Sequence, residues 1–124
     1  MGTPLGYLDV CVDCTWKPAA GEGQTLGARL AGSLKQTLAG SCHADTIELR
    51  ELPCLGLCKE RCRASLTGPG RWAWVIGDLW PDDDHTDLML FLSRWLEAPS
   101  GLVPKTDRPA SLRKRLLARV PPLP

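Results

Sequence analysis

Several absences narrow the reading before any motif is considered. No apolar run approaches the ~20 residues that a membrane helix requires, so neither a membrane span nor a membrane partner is expected. Charge of one sign is also missing: 15 Lys and Arg face 14 Asp and Glu, for a net charge of +1. No whole-protein field therefore recruits nucleic acid or an anionic lipid surface. The GxSxG, Walker, HExxH and GxGxxG patterns are absent, which removes the common nucleophile elbow, phosphate loop, zinc protease and dinucleotide fold. Residues 1–10 lack the basic start and apolar core of a secretion signal, so the expected location is the cytoplasm. There is no internal repeat.

What remains is an ordinary globular composition with one unusual component. The 124 residues are 44% hydrophobic and 23% charged, enough for one domain that buries roughly 65–70% of its unfolded surface. Among them are 6 cysteines. In a reducing compartment a dense cysteine pattern points to metal or redox chemistry rather than to structural disulfides.

Hydrophobic periodicity supplies the order of elements. Leu8 and Val10 alternate with Tyr7, Asp9 and Cys11, which predicts a first strand. Pro18, Gly21 and Gly23 then mark a loop. Leu26, Leu30, Leu34 and Leu38, with Ala31, form a helical stripe that Thr25 would cap and Gly40 would stop. Ile47 and Leu49 alternate with Glu48 and Arg50 in a second strand over residues 46–52, ended by Pro53. Residues 63–67 and 71–77, on either side of Gly68-Pro69-Gly70, read as a hairpin containing Trp72, Trp74 and Ile76. Asp82-Asp83-Asp84 precedes a second helix, favouring its N-terminus. That helix has an apolar stripe of Leu88, Phe91, Leu92, Trp95 and Leu96. Leu112, Leu116 and Val120 suggest a short basic helix over residues 111–120, bracketed by Pro109 and by Pro121-Pro122.

The fold class expected from this order is α/β: a thioredoxin-like β-α-β-β-β-α single domain over residues 1–100, followed by a basic, proline-flanked C-terminal extension over residues 101–124.

The chemistry resides in the cysteines. Cys11-x-x-Cys14 and Cys54-x-x-x-Cys58, with Cys62 equally spaced beyond, each sit where a predicted strand meets a loop. Two strands ending on one edge of a sheet can bring such loops together and gather four thiolates. Thiolates are soft anionic ligands, and four of them complete a [2Fe–2S] centre. Zinc accepts the same four sulfurs, so ligand count leaves both metals open. A dithiol oxidoreductase is weakened by residues 16–23, which separate Cys14 from the helix dipole that would activate its thiol. Cys62 is an alternative to Cys14 or Cys58. Cys42, beside His43, is read as an ordinary inter-element cysteine.

The segment Cys54-Leu55-Gly56-Leu57-Cys58, followed by an aromatic hairpin, resembles the second ligand pair of thioredoxin-like [2Fe–2S] ferredoxins and of the related respiratory complex I subunit. Their first pair is usually more widely spaced than Cys11 and Cys14. The chain is also similar to a family of small bacterial proteins described as predicted metal-binding proteins of unknown function. That likeness runs through the early CxxC, the CLxxCxxxC segment, Gly77-Asp78-Leu79 and the tail from Arg108-Pro109 to Pro121-Pro122. The resemblance implies a thioredoxin-like fold and an electron carrier rather than an enzyme, with Cys11, Cys14, Cys54 and Cys58 holding one [2Fe–2S] cluster. Zinc or cobalt handling by the same thiols is the alternative. Lys59, Arg61 and Arg63 would offset cluster charge or meet an acidic redox partner, and Trp16 would shield the cluster from water. A homodimer stays open.

Overall fold

A computed structural model describes residues 4–12, 26–53, 62–80 and 85–123. Its five-stranded sheet has the order β2-β1-β3-β4-β5. The strands are β1 (Gly6–Cys11), β2 (Ile47–Leu52), β3 (Cys62–Thr67), β4 (Ala73–Leu79) and β5 (Leu116–Val120), and the helices are α1 (Leu26–Ala39) and α2 (His85–Glu97). Among the described residues, only β1 and β2 run parallel; β3, β4 and β5 join antiparallel. Parallel neighbours need a crossover, and α1 supplies it.

The period-2 pattern sets one face of this sheet. Leu8 pairs with Leu66 and Leu66 with Trp74; Val10 pairs with Ala64 and Ala64 with Ile76. Directly opposed residues share a face, so these side chains form a continuous apolar surface. Leu30, Leu34 and Leu38 of α1 close over it, together with Leu88, Phe91, Leu92 and Trp95 of α2, in one buried cluster. Each leucine fully buried this way contributes about 1.5–3 kcal/mol. Trp74 meets the Phe91 ring edge-on at 5.3 Å between centroids. Both helical stripes expected from the sequence therefore face the core; the Leu26 side chain and the Thr25 cap lie outside the described residues.

The opposite face carries a polar pair. Asp9 is buried on β1 and receives bonds from Arg50 Nε (2.6 Å) and Nη2 (2.8 Å) on β2. The parallel register sets Asp9 directly beside Arg50, and the Arg50 guanidinium lies 4.2 Å from the centre of the Tyr7 ring. A buried carboxylate is tolerable when its charge and lone pairs are met in this bidentate way.

One expectation is overturned. Residues 111–120 do not form a helix: Ala110–Leu112 is a single 3-10 turn, and Leu116–Val120 is the edge strand β5. The outer edge of β4 would otherwise present a row of unpaired backbone groups. Pairing Ala73 with Val120, Trp74 with Arg119 and Val75 with Ala118 satisfies them. Leu112 is buried, Leu116 is half-buried and Val120 is exposed, so only the first two of the three apolar residues pack. Two prolines follow β5, and proline cannot continue a hydrogen-bonded ladder.

Candidate metal centre

The candidate centre is at the sheet rim where β1 and β2 end and β3 begins. Cys11 is the last residue of β1 and pairs with Leu52, the last residue of β2. The backbone pairing continues one step further, with Val12 N–H donating to the Leu52 carbonyl at 2.8 Å. Cys11 is 6% exposed, and its thiol donates to the carbonyl of Pro53 at 3.6 Å. Pro53 directly precedes Cys54 in the chain. The strand leading into the first cysteine pair and the strand leading into the second are thus side by side at one rim, in contact through a cysteine sulfur.

Cys62 opens β3 at the same rim, because β3 runs antiparallel to β1 and Ala64 pairs with Val10. It is fully buried. On its other side it pairs with Leu79 across a register shift. From Cys62 to Ala64 the partner strand advances from Leu79 to Ile76, so β4 carries an extra residue. Asp78 takes a left-handed φ of 54° within this bulge, a conformation that an aspartate accepts more readily than most side chains.

Of the predicted ligands, then, Cys11 stands at the rim, while Cys14, Cys54 and Cys58 lie outside the described residues. Trp16, Lys59, Arg61 and residues 81–84 also lie outside them. Cys42 is exposed in the turn after α1, its sulfur 3.8 Å from the ring nitrogens of His43, whose Nε2 lies 2.8 Å from Ser93 Oγ. The register places it away from the rim, in agreement with its reading as an inter-element cysteine. Arg63 is 2% exposed. Among the described residues, no group of three or more His, Cys, Asp or Glu is placed to hold a metal.

Sequence reasoning missed Gly27. A β-carbon there would sit 2.0 Å from the Cys11 carbonyl oxygen and 3.0 Å from the Val12 Cα. Both are backbone atoms, so rotating a side chain gives no relief. The first turn of α1 can lie against the end of β1 only because residue 27 has no side chain. No local signal reveals this, since a glycine early in a helix is merely unfavourable by about 1 kcal/mol. Gly27→Ala is expected to push α1 and the Cys11 backbone apart and, should the rim hold a metal as proposed below, to lower metal retained per folded chain about tenfold, the low end of the range for lost supporting contacts. Metal analysis of the folded fraction, with Gly32→Ala as the control, checks it: position 32 has open space. Equal metal content in the two variants would remove Gly27 from the site.

Comparisons with known proteins come to three findings. The family model described as "Protein of unknown function (DUF1636)" matches residues 8–122. Among solved structures, a thioredoxin-like [2Fe–2S] ferredoxin from Aquifex aeolicus matches with a TM-score of 0.61 and 12% identity, covering 97% of this chain and 96% of that one. No curated protein matches. The structural likeness establishes a thioredoxin-like fold. Among the described residues, no helix is long and apolar enough to cross a membrane.

Proposed function

We propose that this chain, which belongs to the DUF1636 family of proteins of unknown function, is a small electron carrier holding one [2Fe–2S] cluster through Cys11, Cys14, Cys54 and Cys58. The observation that carries the reading is the contact of the Cys11 thiol with the Pro53 carbonyl. It brings the exits toward both cysteine pairs to one place on the sheet. Covalent geometry then limits the rest: Cys54 has its Cα about 3.8 Å from that of Pro53, and Cys14 is at most about 11 Å along the chain from Cys11.

The donor chemistry fits. A thiol gives up its proton on binding a soft cation, and thiolate is the ligand that iron–sulfur clusters require. When bound, such a cluster supplies reversible one-electron transfer. The protein's own contribution is to fix the sulfurs, to limit water and to balance charge. β1 and β2 fix Cys11 through paired backbone, and buried Arg63 on β3 brings a positive charge into the same end of the sheet. The Aquifex protein of the same fold is described as a [2Fe–2S] ferredoxin, and its likeness supports this reading alongside the rim geometry. The partner would be a redox protein with an acidic face, in a reducing compartment such as the cytoplasm.

The test is analysis for iron, acid-labile sulfide and zinc in protein purified without oxygen. Iron and sulfide in equal amounts, in red-brown protein that bleaches with dithionite, support the reading. Colourless protein with zinc or cobalt on the same thiols would replace it with metal handling. Metal-free protein with a reversible Cys11–Cys14 disulfide would replace it with dithiol chemistry.

A further inference from the structure

The C-terminal segment has the most one-sided charge in the chain. Over residues 101–123 it carries Lys105, Arg108, Arg113, Lys114, Arg115 and Arg119 against Asp107 alone. As a helix these cations would have spread around a cylinder. Folded instead as 3-10 turns leading into β5, the segment gathers several of them around one stretch of surface, where Arg108 is half-buried and Lys105, Arg113 and Arg119 are exposed. Lys105, Arg108 and Arg113 line two neighbouring cavities of about 300 and 270 Å³, and the second adds Trp74, Leu116 and Arg119.

Two of these cations, Arg108 and Arg119, are held in place, and none of the four is neutralised by a described residue. The Arg108 guanidinium lies 5.0 Å from the centre of the Trp74 ring, and that of Arg119 lies 5.8 Å from it. Trp74 is fixed in turn by its Nε1 bond to the Gly101 carbonyl at 2.8 Å. Arg108 Nε donates to the Val103 carbonyl at 3.0 Å. None of Lys105, Arg108, Arg113 and Arg119 forms an ion pair with a described residue; the pairs among the described residues are Lys35–Glu51 and Arg50–Asp9. Burial first, and then the charges of Arg119 and Arg113, pull the Arg108 guanidinium below its ordinary pKa. The cost of bringing these charges together is therefore not offset within the described fold.

Stacked guanidiniums lose little freedom when they bind, and they match the geometry of oxyanions with paired hydrogen bonds. A cavity near 300 Å³ is at the small end of ligand sites and excludes a bulky partner from its interior. We propose that it is a binding site for a compact oxyanion with two or more negative charges, of the phosphate or polycarboxylate class. The site is independent of the cysteine rim: β5 is three strand spacings from β1, each about 4.8 Å.

The experiment is calorimetric titration of the full-length protein at low salt with inorganic pyrophosphate and, separately, with citrate. Saturable binding of either is expected, and the tighter of the two identifies the class. Arg113→Gln should weaken that binding roughly tenfold, since one charge-assisted contact is lost. Arg113 is exposed, so this variant is expected to fold normally even if Arg108→Gln does not. Lys114→Gln, which lines neither cavity, should bind as the parent does. Absence of heat with both probes overturns the proposal. So does equal weakening by Lys114→Gln and Arg113→Gln, which is the signature of diffuse charge such as an acidic protein face would read.

Discussion

Cys54→Ala protein, purified without oxygen, is expected to retain at most about a tenth of the iron found in the parent. The magnitude follows from a lower bound: losing a supporting contact outside the ligand set already costs about 10–100-fold in metal affinity, and a direct ligand contributes more. Cys11→Ala, Cys14→Ala and Cys58→Ala should behave alike, because three thiolates leave one iron coordination position to water. Cys42→Ser should keep full iron, since Cys42 is exposed in the turn after α1 and contacts His43. Cys62→Ala separates two effects. Its side chain is fully buried at the start of β3, so stability should fall while iron per folded chain is retained. Loss of iron from Cys62→Ala together with retention in Cys58→Ala would exchange those two ligands and leave the rim intact. Full iron in Cys54→Ala would contradict the ligand set itself.

Trp95→Ala is expected to lower unfolding free energy by about 3–5 kcal/mol, a large share of the roughly 5–15 kcal/mol available to a domain. The ring is fully buried. Its far edge fills the space left by absent side chains at Gly6 and Gly68, where a β-carbon would meet it at 2.5 and 3.0 Å. Gly101 adds a second requirement: a φ of 75° and a β-carbon position 2.6 Å from the indole nitrogen. That nitrogen donates to the Trp72 carbonyl at 2.7 Å, and Arg71 stacks against the same ring, 5.4 Å from its centre. Truncation to alanine loses the transfer energy, opens a cavity and leaves a backbone carbonyl short of its donor. Trp95→Phe refills part of the volume but not the bond, so its loss should be about half as large. Chemical unfolding followed by far-ultraviolet circular dichroism measures both. A loss under about 1 kcal/mol for Trp95→Ala would mean that this end of the core does not hold the fold. Iron per folded chain should not change, because Gly6 and Gly68 lie at the end of the sheet away from Cys11.

The helices were legible because their apolar residues recur with a helical period and no competing reading exists for Leu30-Leu34-Leu38 or Leu88-Leu92-Trp95. The paired strands were legible for the same reason at period 2. The C-terminal strand was not. Leu112, Leu116 and Val120 fit a helical stripe, and what decided against it was the open edge of β4, a tertiary demand that no local pattern carries. The Asp9–Arg50 pair was hidden similarly: each residue was visible on its strand, but only the parallel register puts them side by side. At the candidate centre, the cysteine spacings were explicit, and Cys11 stands at the strand end where alternation placed it. The dependence of that position on Gly27 is a contact between backbones, invisible in any pattern of side chains.

The central proposal is that thiols from separate stretches of chain grip a single inorganic centre at one rim. Electron paramagnetic resonance of anaerobically purified protein reduced with dithionite tests this most directly. Silence is expected before reduction, then a signal integrating to about one unpaired electron per chain that is lost in Cys11→Ala and in Cys54→Ala alike. A reduced parent protein without signal, or a signal undiminished in either variant, would contradict it.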